Sequence, residues 1–165
     1  MKLSFIYLDT PFWRAEVGKI ALYIGGIEFE NKIITREEFQ QVKVKGHLDD
    51  GTIIPFHQLP CLIVDGVPIA QTGGISRFCG KLSGMYPKND DLLAARIDQF
   101  IDIATDITVL VFSCGINEQE EIRRAKRQEL SQGELARKLR MLDKNIIDGS
   151  DWILGPSMGI ADIAI

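Results

Sequence analysis

The chain has 165 residues, 45% of them apolar and 25% charged, and carries a net charge of −4 at pH 7. That length can bury the core of one domain or of two small ones, and the composition is that of a globular protein rather than a disordered chain. A pI near 5.2 leaves no excess of Lys and Arg to meet a phosphate backbone, so nucleic acid is not an expected partner, and no apolar run is long enough to span a bilayer.

In chain order, KLSFIYL (2–8) reads as a strand. Pro11 suits the first turn of a helix, where its missing N–H would be unpaired in any case, and a helix is predicted over residues 12–25. Ala15, Ile20, Ala21, Leu22 and Ile24 are its apolar positions, and Gly25-Gly26 is its stop signal. IEFENKII (27–34) alternates like a half-buried strand. Thr35, followed three residues later by Glu38, predicts a capping box that opens a short helix. KGHLDDGTII (45–54) is polar with a turn signal at Asp50-Gly51, and is expected to be an exposed loop. LPCLIVDGVPIAQ (59–71) predicts two strands joined by a hairpin at Asp65-Gly66, with a helix over 72–82 behind them. Strand–helix–strand order makes a parallel pair and a tight hairpin makes an antiparallel one, so the sheet should be mixed.

GMYPKND (84–90) reads as a linker, and everything after it is helical: a long helix to about residue 114, a second over 118–147 that pauses near 131–133, and the start of a third at Ile160. IRRAKR (122–127) follows EQEE directly, which predicts a helix face laced with salt bridges. Cys61, Cys79 and Cys114 are odd in number, widely spaced and without a CxxC pair, so reduced thiols are expected. His47 and His57 stand apart from any cysteine or carboxylate cluster, and no metal site is expected. MKLSFIYL is too short for a signal peptide; the expected compartment is the cytoplasm, or an organelle if a targeting segment has been removed.

Three segments, HQLPCLIVDG (57–66), AQTGGISRF (70–78) and AARIDQFID (94–102), together resemble the cytosolic glutathione transferases in order and spacing. GIADIAI (159–165) is similar to a helix-start motif deep in the second domain of that family. The resemblance covers essentially the whole chain and is most similar to the tyrosine-using, sigma-like class. It implies a thioredoxin-like α/β domain with a mixed four-stranded sheet over 1–83, a linker over 84–90 and an all-helical domain over 91–165. Gly159 stands where the family has Ser or Thr, so only part of the second-domain cap survives. The chain also stops as a central apolar helix begins, which reads as an incomplete chain or as a subunit whose missing core a partner supplies.

The same resemblance implies a site. A proline in Gln58-Leu59-Pro60 would be cis, freeing the Leu59 backbone to pair with the peptide of glutathione; a plain turn before a strand is the competing reading. Gln71-Thr72 falls where the family binds the γ-glutamyl end at a helix N-terminus, and an N-cap role for Thr72 is compatible with that. Asp98 matches an aspartate that reaches across a dimer interface toward glutathione, although Asp98, Asp102 and Asp106 also make an i, i+4, i+8 solvated face. Lys43 matches a holder of the glycine carboxylate, Phe39 replaces a Trp, and Phe56 matches an aromatic that plugs into a second subunit of a homodimer.

A thiol with a pKa near ~8.5 is only a few per cent thiolate at neutral pH, and lowering that pKa by about two units takes roughly 2.7 kcal/mol. A hydroxyl beside a helix start can supply this. Tyr7 matches the tyrosine classes, with Arg14 seven residues on, one more than their pattern; Thr10 before Pro11 resembles the Ser-Pro or Cys-Pro start of other classes and is the alternative. The expected activity is conjugation of glutathione, as co-substrate, to a small hydrophobic electrophile, with isomerase and peroxidase forms of the same chemistry open. The rival reading is a non-catalytic family member serving as a binding or structural subunit of a larger assembly.

Overall fold

The computed structural model describes residues 1–10 and 14–165, in two compact units, Met1–Ala94 and Ala95–Ile165. The first unit runs β1 (Leu3–Leu8), α1 (Glu16–Ile24), β2 (Glu30–Ile34), α2 (Arg36–Lys45), a 3₁₀ turn (Pro55–His57), β3 (Cys61–Val64), β4 (Val67–Ala70) and α3 (Thr72–Ser83). Its sheet has the order β2-β1-β3-β4, with β1 parallel to β2 and antiparallel to β3, and β4 antiparallel to β3. This is the mixed four-stranded sheet of a thioredoxin-like domain.

β1 is buried on both faces, and its alternation sorts side chains between two layers. Ile6 joins Ile34, Val42, Leu48, Ile54 and Cys61 in one cluster on the α2 side. Phe5 faces the other way, against α1 and α3, where a Cβ on Gly18 would meet Phe5 Cζ at 2.7 Å, Ile75 Cγ2 at 3.1 Å and Cys79 Sγ at 3.3 Å. Glycine at this point in α1 lets the helix lie directly on the Phe5 ring.

The local signals act as expected at most junctions. Thr35 Oγ1 accepts from the Glu38 N–H at 3.1 Å and Glu38 Oε2 accepts from the Thr35 N–H at 2.7 Å, completing the capping box of α2. Asp65 and Gly66 have φ of 48° and 86°, the pair of left-handed residues that a two-residue hairpin needs. α1, however, begins at Glu16 rather than near residue 12, from an Ala15 that offers no side-chain cap. The expected helix start at Pro11 lies outside the described residues.

The segment expected to be a wholly exposed loop is anchored in the core. Leu48 and Ile54 belong to the buried cluster and His47 bridges to Ile53, while the tip around Asp49, Asp50 and Gly51 is exposed, as are Lys45, His47 and Ile53. The charged tip masks two apolar anchors six residues apart. Lys32 Nζ on β2 meets Asp50 Oδ2 at 2.5 Å, and the Lys32 and Thr52 donors hold the Asp50 carboxyl well below the usual range.

The second unit is helical, taking in most of α4 (Asp91–Ser113), then α5 (Glu120–Gln132), α6 (Glu134–Asp143) and α7 (Ile160–Ala164). Ile97, Phe100 and Ile101 on α4 are buried, while α5 and α6 bury no residue. The basic run of α5 is paired as expected: Arg123 with Glu120, Arg124 with Glu120 at 3.5 Å, and Lys126 with Glu118. The pause falls at Gly133, between α5 and α6. At α7, Asp162 Oδ2 accepts from the Gly159 N–H and Oδ1 from the Ile153 N–H, both at 2.7 Å, so half of the capping box is present and glycine has no side chain to return the bond.

Gly18→Ala tests the Phe5 contact. Overpacking costs about 1–3 kcal/mol and helix propensity returns at most about 1. A net loss of stability is expected, read as a lower urea midpoint with an unchanged slope; a variant as stable as the parent would show that Phe5 is free to move aside.

Candidate functional site

The last fully paired row across β1, β3 and β4 is Ile6, Cys61 and Ala70. The residues one step beyond it are Tyr7, Pro60 and Gln71, so one end of the sheet collects side chains that are far apart in sequence.

Tyr7 follows Phe5 onto the α1 side and is 5% exposed. Burial pushes its phenol pKa up, while the Arg14 charge and a hydrogen bond from the Arg14 backbone N–H pull it the other way. The seven-residue spacing therefore still returns Arg14 to Tyr7. A phenol that accepts from Arg14 and stays neutral keeps its own O–H available as a donor. Lys19 Nζ lies 5.9 Å from the ring centroid. Thr10 is exposed, and its N–H donates to the Leu8 carbonyl at 2.8 Å.

The Leu59–Pro60 peptide is cis, with Pro60 buried and Leu59 half-buried. Pairing of β3 with β1 begins only at Cys61, and among the described residues no main-chain hydrogen bond engages Leu59. Next to it, Gln71 Nε2 donates to Gln58 Oε1 at 3.0 Å. Gln71 is also the N-cap of α3, at φ 70° and ψ 125°, and gives the helix no side-chain cap. The first N–H of α3 to bond back is that of Ile75, to the Gln71 carbonyl at 3.0 Å. Thr72 Oγ1 is buried there with no hydrogen-bond partner among the described residues, as is Ser76 Oγ one turn on. An uncapped helix start beside an unsatisfied hydroxyl is a local excess of donors.

α2 carries Phe39 and Lys43. Phe39 packs on the Ile6 cluster, and the exposed Lys43 holds its ammonium 4.8 Å from the Phe39 ring centroid. Phe56 and His57 have φ of 58° and 54°. Such backbone costs about 1–3 kcal/mol per non-glycine residue and persists only where its surroundings fix it. Phe56 is 71% exposed. His57, which its sequence context did not single out, bonds through Nδ1 to the Lys43 carbonyl at 3.1 Å. Asp98 is half-buried on α4, in the second unit; Asp102 and Asp106 are exposed, and Asp106 Oδ2 lies 3.6 Å from Lys138 Nζ.

A cavity of about 850 Å³ lies elsewhere, lined by Leu3, Tyr23, Ile27 and Phe29 near the start of β1. It contains none of these groups, and the convergence of donors outweighs its size. Among the described residues no cluster of three or more His, Cys, Asp or Glu could hold a metal, and no helix is long and apolar enough to cross a membrane.

A mixed four-stranded sheet with a cis-proline corner, followed by a helical region, defines a thioredoxin-like domain joined to a helical one. Residues 3–80 match the family model of the glutathione S-transferase N-terminal domain. The first unit therefore carries a glutathione S-transferase N-terminal domain, and the chain as a whole is similar to members of that family. It is 28% identical over 155 residues to glutathione S-transferase 1 of Ascaris suum, covering 91% of this chain and 70% of that one. The crystal structure of the glutathione S-transferase from Ascaris lumbricoides superposes with a TM-score of 0.75 at 26% identity, over 100% of this chain and 78% of that one. Prostaglandin synthase D of Nilaparvata lugens shares the fold, with a TM-score of 0.81 at 21% identity over 99% and 77% of the two chains.

Two of the chain's three thiols, Cys61 and Cys79, are poor nucleophiles. Burial pushes Cys61 up to about 11 and Cys79 up to about 12, while Cys114 is half-buried. With folded values above the unfolded ~8.5, their contribution is fully present below about pH 8.5 and is lost as pH rises toward 11–12. Ellman's reagent should therefore titrate one thiol rapidly in the native chain and all three in urea, and the urea midpoint should fall between pH 8 and 10, less so in Cys79→Ala. Rapid native titration of all three would contradict the burial.

Proposed function

We propose that this chain is a glutathione-binding transferase that stabilises the thiolate of glutathione at Tyr7 and directs it at a small hydrophobic electrophile. The observation that carries the reading is the buried Thr72 hydroxyl, without a hydrogen-bond partner among the described residues, at the uncapped start of α3. The γ-glutamyl carboxylate of glutathione supplies the acceptor that this hydroxyl and the adjoining N–H groups lack. Gln71 orients that end, held by Gln58.

The remaining contacts follow from the same pose. The unpaired Leu59 backbone takes the cysteinyl peptide as an added strand, and Lys43 takes the glycine carboxylate. From the family resemblance, Asp98 is assigned to the glutathione amino group across a homodimer interface. The sulfur then points at Tyr7, whose O–H donates to the thiolate while Arg14 supports the phenol through its N–H and its charge. The raised Tyr7 pKa keeps the phenol a donor rather than a base, so the proton leaves glutathione to solvent, and the thiolate forms the new carbon–sulfur bond as the electrophile's leaving group departs with its bonding pair or as an activated alkene's π pair moves onto its acceptor group. Thr10, exposed at the end of β1, is the lesser candidate for this donor role. Reduced thiols suit a cytoplasmic setting.

Retention on immobilised glutathione followed by a conjugation assay tests the reading. At pH 6.5, Tyr7→Phe should lower kcat by about 10- to 100-fold, the effect of a one- to two-unit rise in the bound thiol's pKa, with Kd for glutathione within about threefold. The deficit should narrow near pH 9, where the thiol ionises without help. Retention without turnover would assign a binding subunit instead, and no retention would remove glutathione from the site.

Phe56 is the aromatic we assign to a homodimer contact, since 71% of it is exposed on a backbone that holds it outward. Phe56→Ser should convert a dimer to a monomer in light scattering at unchanged helicity. A monomeric parent would dismiss the assignment.

A further inference from the structure

The corner between α2 and β3 is closed by a circuit of bonds that ends on His57. The Ile54 N–H donates to the Gly46 carbonyl at 2.8 Å, and the His57 N–H donates to the Ile54 carbonyl at 3.1 Å. The His57 ring then turns back to α2, placing Nδ1 3.1 Å from the Lys43 carbonyl, fourteen residues away in sequence. A carbonyl only accepts, so Nδ1 carries the hydrogen. The other ring nitrogen lies where a side chain on Gly46 would be, 2.5 Å from an ideal Cβ, so the left-handed glycine that ends α2 also makes room for the imidazole. From the next residue, Gln58 bonds Gln71 at the start of α3. His57 thus joins the turn that carries Lys43 to the segment that leads into Leu59.

Lys43 is exposed, and its ammonium lies 4.8 Å from the Phe39 ring centroid. Where that charge sits depends on where the last turn of α2 sits. His57, meanwhile, keeps a left-handed backbone that glycine would adopt without strain, which calls for a side-chain role.

We propose that His57 is a positioning residue for the glycyl end of glutathione: its Nδ1–H bond to the Lys43 carbonyl sets the separation between the Lys43 ammonium and the Leu59 backbone that the terminal carboxylate spans. The inference rests on glutathione being the ligand of this cleft. It predicts which half of the ligand His57 governs.

Titration calorimetry with glutathione, and with its glycine monoethyl ester, which lacks that carboxylate charge, separates the outcomes. His57→Gly relieves the backbone and removes the donor. It should weaken glutathione roughly 3- to 10-fold, the span of one hydrogen bond, and raise KM alike with kcat within about twofold. Ester binding should change less than about twofold. His57→Asn, whose Nδ2 falls where Nδ1 was and which tolerates left-handed backbone, should restore glutathione binding. Glutathione binding unchanged in His57→Gly, or equal losses for glutathione and ester, would overturn the positioning role while leaving the glutathione assignment intact. A parent chain that binds neither compound would overturn the assignment and this inference with it.

Discussion

The register of the four-stranded sheet is the constraint on which the rest depends. β1 runs parallel to β2 and antiparallel to β3, which places the C-terminal end of β1 beside the N-terminal end of β3. The hairpin then returns β4 so that its last residue, Ala70, lies next to Cys61, and α3 must start at that same edge. Tyr7, Pro60 and Gln71 are neighbours because Ile6, Cys61 and Ala70 are paired. A slip of one residue would move Tyr7 to the α2 face and Ile6 to the other, exchanging the site and the core at once. The apolar burial that stabilises the sheet therefore also fixes the site.

Much of this was readable from residue types with strong local rules. Thr35 and Glu38 specify a cap whatever surrounds them, and Asp65-Gly66 specifies a turn, because each is a short-range arrangement with few competitors. The cis Leu59–Pro60 peptide follows from the family resemblance; the local residues alone favour a plain turn before a strand. Two features escaped for a physical reason. Leu48 and Ile54 look like minor members of a polar loop, and only the tertiary fold, with β2 and α2 beneath them, shows that both have a core to enter. His57 was weighed as a metal ligand by its sequence neighbours, whereas its partner is a carbonyl fourteen residues back that no sequence pattern announces. Among the described residues α1 starts at Glu16, after Ala15, while the start expected at Pro11 lies outside them.

The site is built from groups that cannot easily move. Phe56, His57 and Gln71 all hold left-handed backbone without being glycine, and all lie within a few residues of the Leu59 corner or the start of α3. Strain of this kind survives where neighbouring bonds over-determine the chain, and here they do: Gly46, Ile54 and Lys43 hold His57, and Gln58 holds Gln71. Two of the chain's own sulfurs, Cys61 and Cys79, are buried and protonated at neutral pH. A hydroxyl-rich, thiol-poor edge is suited to receiving a sulfur rather than supplying one.

The two ends of the proposed ligand would then meet very different surfaces. At the sulfur end, Tyr7 is mounted on the central strand and is buried, with its phenol tied to Arg14, so the donor is placed before any ligand arrives and little reorganisation is needed. At the glycyl end, Lys43 stands exposed on α2, and its position follows that of the helix's last turn, held by the His57 ring at the Lys43 carbonyl and by the Ile54 N–H at the Gly46 carbonyl. Rigidity is thus concentrated where charge must be stabilised as the thiol ionises, and tolerance is left where the ligand is only held. That division follows from topology, because the reacting end lies against the middle of the sheet while the holding end lies against a helix that contacts the core through one face alone.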